Sequence, residues 1–87
     1  MNIEDWRNRI DELNDELIAL LNKRASFAVE IGKIKKQKGL PVLDAAREEA
    51  VLNVVAEKAK KANGPLPPES FKNIFRTSID ETCKVEE

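Results

Sequence analysis

Arg24 stands where an aliphatic side chain is due. Ile3, Ile10, Leu17 and Ile31 keep a seven-residue beat, and the member missing from that row, seven residues after Leu17, is an arginine. Lys35 follows eleven residues later, close to three helical turns, so the two cations project from nearly one face about 16 Å apart along a helix axis. Further on, Arg47 comes one turn before Val51 and Glu48 one turn before Leu52, and each extends an apolar stripe with a charge. Near the C-terminus the stripe Phe71, Phe75, Ser78 continues onto Thr82 and Glu86 at helical spacing. Each of these has a plain structural reading. Inward arginines snorkel or pair, acidic residues such as Glu48 and Glu49 suit the start of a helix, and polar residues collect at a frayed chain end. Arg47 does not suit a helix start. Together they put polar groups on an inward face of every predicted helix.

Among Arg24, Lys35, Arg47, Asp44, Glu48 and Glu86, the cations outnumber the anions once Arg7 is added. Inward cations require partners, and a bound dianion would supply them. Arg7 precedes Arg24 by seventeen residues, about 25 Å along a rigid helix, too far for both to hold one small ligand. Arg7 is therefore expected in the site of a second subunit, which generates two equivalent sites in a symmetric pair. No nucleophile with its base is visible. The chain has no histidine, its one cysteine, Cys83, lacks an activator, and neither a glycine-rich phosphate loop nor a metal-ligand cluster occurs. No metal or cofactor is expected. A cage of arginines, a lysine and hydrogen-bonding groups holds a flexible dianion in one conformation and stabilises charge developing in a transition state. A unimolecular rearrangement needs no more.

These residues require helices to position them. From Ile3 to about Lys36 the row Trp6, Leu13, Leu20, Phe27, Ile34 runs beside the row that Arg24 interrupts, which predicts one long helix with a coiled-coil-like seam, ended by Gly39 and Pro41. A second helix is expected from Asp44, a good N-cap, to about Ala62, with Val51, Leu52, Val55 and Ala59 as its apolar face. Asn63-Gly64-Pro65 breaks it, Pro67-Pro68 opens a third, and Phe71, Ile74, Phe75 and Ile79 form that helix's buried face. No strand-period segment or internal repeat occurs. The expected architecture is all-α, with one domain spanning residues 1–87. The first helix, at about 1.5 Å per residue, is ~50 Å long, whereas a compact chain of this size is about 30 Å across. A seam that outruns its own domain must be covered, so the long helices are expected to pair in an intertwined homodimer.

Composition excludes other classes. A net charge of −1 lacks the basic excess of a nucleic-acid binder, and the locally basic run from Lys33 to Lys38 reads as lysines favoured near a helix C-terminus. No segment approaches the ~20 apolar residues of a membrane span, and the N-terminus lacks a signal-peptide core. A cytoplasmic location and a lone reduced thiol are the expectations.

The chain resembles the all-helical chorismate mutases over essentially its full length. "RNRIDELNDELIALLNKRASFAVEIGKIK" is similar to that family's long first helix, "GLPVLDAAREEAVL" to its loop and second helix, and "GPLPPESFKNIFR" to the entry of its third. The resemblance implies an intertwined helical dimer that converts chorismate to prephenate by a Claisen rearrangement on the route to phenylalanine and tyrosine. It implies that Arg24, and Arg7 from the partner chain, bind the two carboxylates, and that Lys35 hydrogen-bonds the ether oxygen. Glu48, with the backbone at Asp44, would hold the ring hydroxyl, Arg47 would line the pocket, and Thr82 would meet a carboxylate where the family commonly has serine. Glu86 falls where many members have glutamine, a second donor to the ether oxygen. A glutamate donates only when protonated, so activity is expected to rise as pH falls below neutrality. Two alternatives stand beside this one: an isochorismate pyruvate lyase on the same fold, and a non-catalytic helical dimerisation or regulatory module whose inward charges fix register.

Overall fold

The computed structural model describes all 87 residues, Met1–Glu87. Its first helix, α1 (Ile3–Lys38), starts at a reciprocal cap: the Asn2 side chain accepts from the Asp5 backbone N–H at 2.9 Å, and the Asp5 carboxylate accepts from the Asn2 backbone N–H at 3.1 Å. Two otherwise unsatisfied donors are met in one turn. At the other end the lysines Lys35, Lys36 and Lys38 crowd the last turn, where the helix dipole favours cations, and Gly39 closes the helix at φ 68°. That left-handed conformation is one a side chain would strain, and it turns the chain into the loop Leu40–Leu43.

Asp44 caps the second helix, α2 (Ala45–Ala62), through its carboxylate, which accepts from the Arg47 backbone N–H at 3.0 Å. Asn63, at φ 52°, ends it. The third helix, α3 (Pro68–Glu86), begins with proline in its first turn, where the missing N–H has no intrahelical partner to lose. All three elements are α-helices and no strand is present. The long helix extends two residues beyond the expected Lys36, because the lysine-rich stretch continues it as far as Gly39.

Packing is uneven. Helix α3 lies against both α2 and the C-terminal part of α1, whereas α1 and α2 do not pack on one another. The molecule measures 54 × 25 × 15 Å with a radius of gyration of 15.9 Å, against about 12 Å for a compact chain of this length. Its longest dimension is the length of α1 itself. Only Gly32, Leu52 and Ala59 are buried. Trp6, Leu13, Leu20 and Phe27, all of one heptad row, are each more than half exposed. A protomer in this shape has almost no core of its own.

Candidate active site

The helices enclose one cleft that collects most of the polar residues singled out from sequence. It has a volume of about 430 Å³ and is walled by Arg24 and Lys35 of α1, by Val42, Leu43 and Asp44 of the loop, by Arg47 and Glu48 of α2, and by Thr82 and Glu86 of α3. Apolar surface from Phe27, Ile31, Val51 and Ile79 completes it.

Two long side chains of α1 are tied to α3. The Arg24 guanidinium donates from Nη1 to Ser78 Oγ at 3.2 Å and to Thr82 Oγ1 at 3.3 Å. Thr82 in turn gives its own proton back along the helix, to the Ser78 carbonyl at 3.0 Å or the Ile79 carbonyl at 3.1 Å. Its lone pairs are thereby left to face the guanidinium. Neither acceptor carries a charge, so Arg24 is oriented without being neutralised. Thr82, as placed, supports Arg24, and contacting a carboxylate itself requires rotation of its hydroxyl.

Lys35 Nζ donates to the Val42 carbonyl at 2.7 Å and to Glu86 Oε1 at 2.9 Å. The pair is well shielded, with side-chain exposures of 18% for Lys35 and 10% for Glu86, whereas the Lys33–Glu30 pair on the outer face is mostly in solvent. Shielding strengthens the attraction and makes removal of either partner costly. An ammonium has three donors; with Val42 and Glu86 served, one remains for a ligand.

Arg47 and Glu48 line the same cleft, and neither is engaged in an ion pair within the chain. The Asp44 carboxylate is occupied as the cap of α2, so the turn that starts the helix is also a cleft wall. Arg7 is elsewhere. It lies on the exposed N-terminal half of α1, paired with Glu4 at 3.0 Å. Within one protomer the cleft therefore carries three cations, Arg24, Lys35 and Arg47, against three anions, Asp44, Glu48 and Glu86. A further cation is needed to tip it toward a dianion.

Three contributors escaped the sequence reading. Ser78 was legible as a stripe member but not as the hydroxyl that holds Arg24. The Val42 carbonyl is invisible in principle, because a backbone acceptor leaves no trace in residue type. Cys83 lines the cleft, and burial pushes its thiol above the ordinary value of 9.0; the nearby Glu86 charge adds to this while Lys35 opposes it. A thiol so held stays protonated and is a poor nucleophile.

A family model described as chorismate mutase type II matches residues 6–87. The chain is similar to a bifunctional chorismate mutase/prephenate dehydratase of Aquifex aeolicus, at 31% identity over 97% of the chain and 24% of the relative. It is also similar to a bifunctional chorismate mutase/prephenate dehydratase of Neisseria gonorrhoeae, at 40% identity over 92% of the chain and 21% of the relative. The chain thus spans no more than about a quarter of those two relatives. Among solved structures, a chorismate mutase from Thermus thermophilus superposes with a TM-score of 0.89 at 30% identity, covering 97% of this chain and 92% of that one.

Proposed function

The chain belongs to the type II chorismate mutase family, and from that premise we propose that it converts chorismate to prephenate in the cleft between its three helices, as a homodimer. The observation that carries the reading is a shielded lysine with a free donor and an arginine held only by neutral hydroxyls, both facing one small cavity. The rearrangement breaks a C–O bond and forms a C–C bond within one molecule, so it needs no nucleophile, oxidant or proton acceptor. It needs the substrate folded and the ether oxygen stabilised as charge grows there. Arg24 binds one carboxylate, and Lys35 donates to the ether oxygen. Glu48 takes the ring hydroxyl beside the Asp44 backbone, and Arg47 shapes the anionic end of the pocket. Glu86, when protonated, is the second donor to the ether oxygen.

The second carboxylate requires Arg7 of a partner. The nine apolar seam side chains of α1 are each about half exposed, so pairing two such seams, at about 1 kcal/mol for each side chain of both chains, yields about 18 kcal/mol and exceeds the roughly 4–15 kcal/mol that association costs. The same pairing carries Arg7 to another chain's cleft and gives it the fourth cation.

Chorismate depletion by the purified chain, with the product identified, tests the reading. Prephenate is the expected product, and Lys35→Ala and Arg24→Ala are each expected to lower kcat/KM by about 100- to 1000-fold. Turnover of isochorismate to salicylate in place of prephenate production would instead assign the lyase. Unchanged ligand binding and turnover in both variants would leave only a dimerisation module.

A further inference from the structure

Gly32 lies inside α1, six residues before the helix ends. A glycine weakens a helix interior relative to alanine, and here no unusual backbone demands one, since Gly39 is the only glycine with positive φ. Space is the reason. Gly32 is the one buried residue of α1, and a Cβ at that position would lie 2.7 Å from the Glu86 carbonyl oxygen, 2.8 Å from the Glu86 Cα and 3.2 Å from its carbonyl carbon. All three are backbone atoms, so no side-chain rotation relieves the clash. Around Gly39 and Gly64, by contrast, a Cβ would meet nothing within 4 Å.

Glu86 is the last residue of α3, and its carboxylate reaches Lys35, one turn beyond Gly32 on α1. The backbone contact and the ion pair are two ends of one residue. We propose that Gly32 is a positioning residue for the reaction: its missing side chain lets the last turn of α3 seat directly on α1, and that seat sets Glu86 against Lys35. Adding one methyl moves the end of α3 outward by up to about 1 Å to reach ordinary van der Waals contact, a displacement of the size that costs about 100-fold when it falls on a reacting group. Arg24, Ser78 and Thr82 lie further back along both helices, so substrate capture is largely spared. The inference rests on the proposed reading of the cleft, in which Lys35 and Glu86 act at the ether oxygen.

The test compares wild type, Gly32→Ala, Glu86→Ala and the double variant in chorismate turnover, and follows labelling of Cys83 by an aromatic disulfide reagent in the first two. In Gly32→Ala, kcat is expected to fall by about tenfold or more with KM changed far less. In the Glu86→Ala background the same substitution should cost under about twofold, because what it displaces is already absent. Helical circular dichroism is retained, and Cys83, three residues before Glu86 and on the same wall, is labelled several-fold faster. Full kcat in Gly32→Ala overturns the proposal, and so does an equal loss in both backgrounds. Loss of the helical signal also overturns it, since it would assign Gly32 to general packing. If wild type leaves chorismate untouched, the proposed function fails by itself. The position of α3 is then still read by Cys83, and unchanged labelling in Gly32→Ala overturns the seat.

Discussion

Up to Lys23 every residue of α1 is exposed, whereas from Arg24 onward the same helix carries Gly32 in a buried contact and Lys35 in a shielded ion pair. The heptad pattern is the same in both halves. What differs is company: α3 lies only on the second half. The bare half is as apolar as the covered one, with Ile3, Trp6, Ile10, Leu13, Leu17 and Leu20 all in solvent in the isolated protomer. It holds Arg7, while the covered half builds a cleft that is one cation short of an excess. The contrast teaches that one half of the helix walls a cleft within its own chain while the other leaves an apolar face and Arg7 uncovered, which is where the proposed partner would dock.

The strongest way to break this comparison is to spoil the bare half. Leu13→Asp combined with Leu20→Asp places two carboxylates in the proposed paired seam, and each is expected to cost about 2–5 kcal/mol, that of losing a leucine which pairing would bury. With so little core in one protomer, the helical circular dichroism should collapse together with the dimer mass in sedimentation. Glu12→Ala, off both heptad rows, should stay within about 0.5 kcal/mol of wild type. A folded, monomeric, fully active Leu13→Asp/Leu20→Asp chain would remove the distinction between the halves.

Acting on the covered half has a smaller effect. Lys35 holds Glu86 by its Oε1, and Glu86 becomes a donor only on protonation. Glu86→Gln supplies an amide donor that needs no added proton, so kcat for chorismate turnover at neutral pH is expected to rise by about tenfold. An unchanged kcat in Glu86→Gln would take Glu86 out of the chemistry. The smallest effect concerns Cys83. Because burial raises its thiol above 9.0, thiolate is scarce at neutral pH and grows only on the alkaline side. Alkylation by iodoacetamide should be slow near pH 7 and should still be accelerating above about pH 9. A rate that levels off below pH 8 would mean that the α3 wall is open.

Much of this was legible from residue order. The two heptad rows specify α1, and Gly39, Asp44, Asn63 and Pro68 mark the helix ends because caps and breakers act within a turn. Arg24, Lys35, Arg47, Glu48, Thr82 and Glu86 were found as polar interruptions of apolar stripes, and the structure brings all six to one cleft. What was not legible depends on how two distant helices meet. The pairing of Lys35 with Glu86 joins residues 51 apart, and periodicity within each helix does not encode the offset between them. Gly32 looks like a flaw in a helix until the backbone of Glu86 is seen against it. Phe27 and Ile31, read as seam, also line the cleft, because one helix face serves both purposes where α3 crosses.

The claim that the bare half of α1 completes a second chain's site is tested most directly by mixing defects. Arg7→Ala and Arg24→Ala chains, each nearly inactive alone, are unfolded together and refolded as a mixture. In a mixed dimer one cleft then lacks both arginines and the other has both intact, so with half of the dimers mixed, about a quarter of wild-type turnover should return. A mixture no more active than its two parents, or an Arg7→Ala chain that is fully active by itself, would contradict the account.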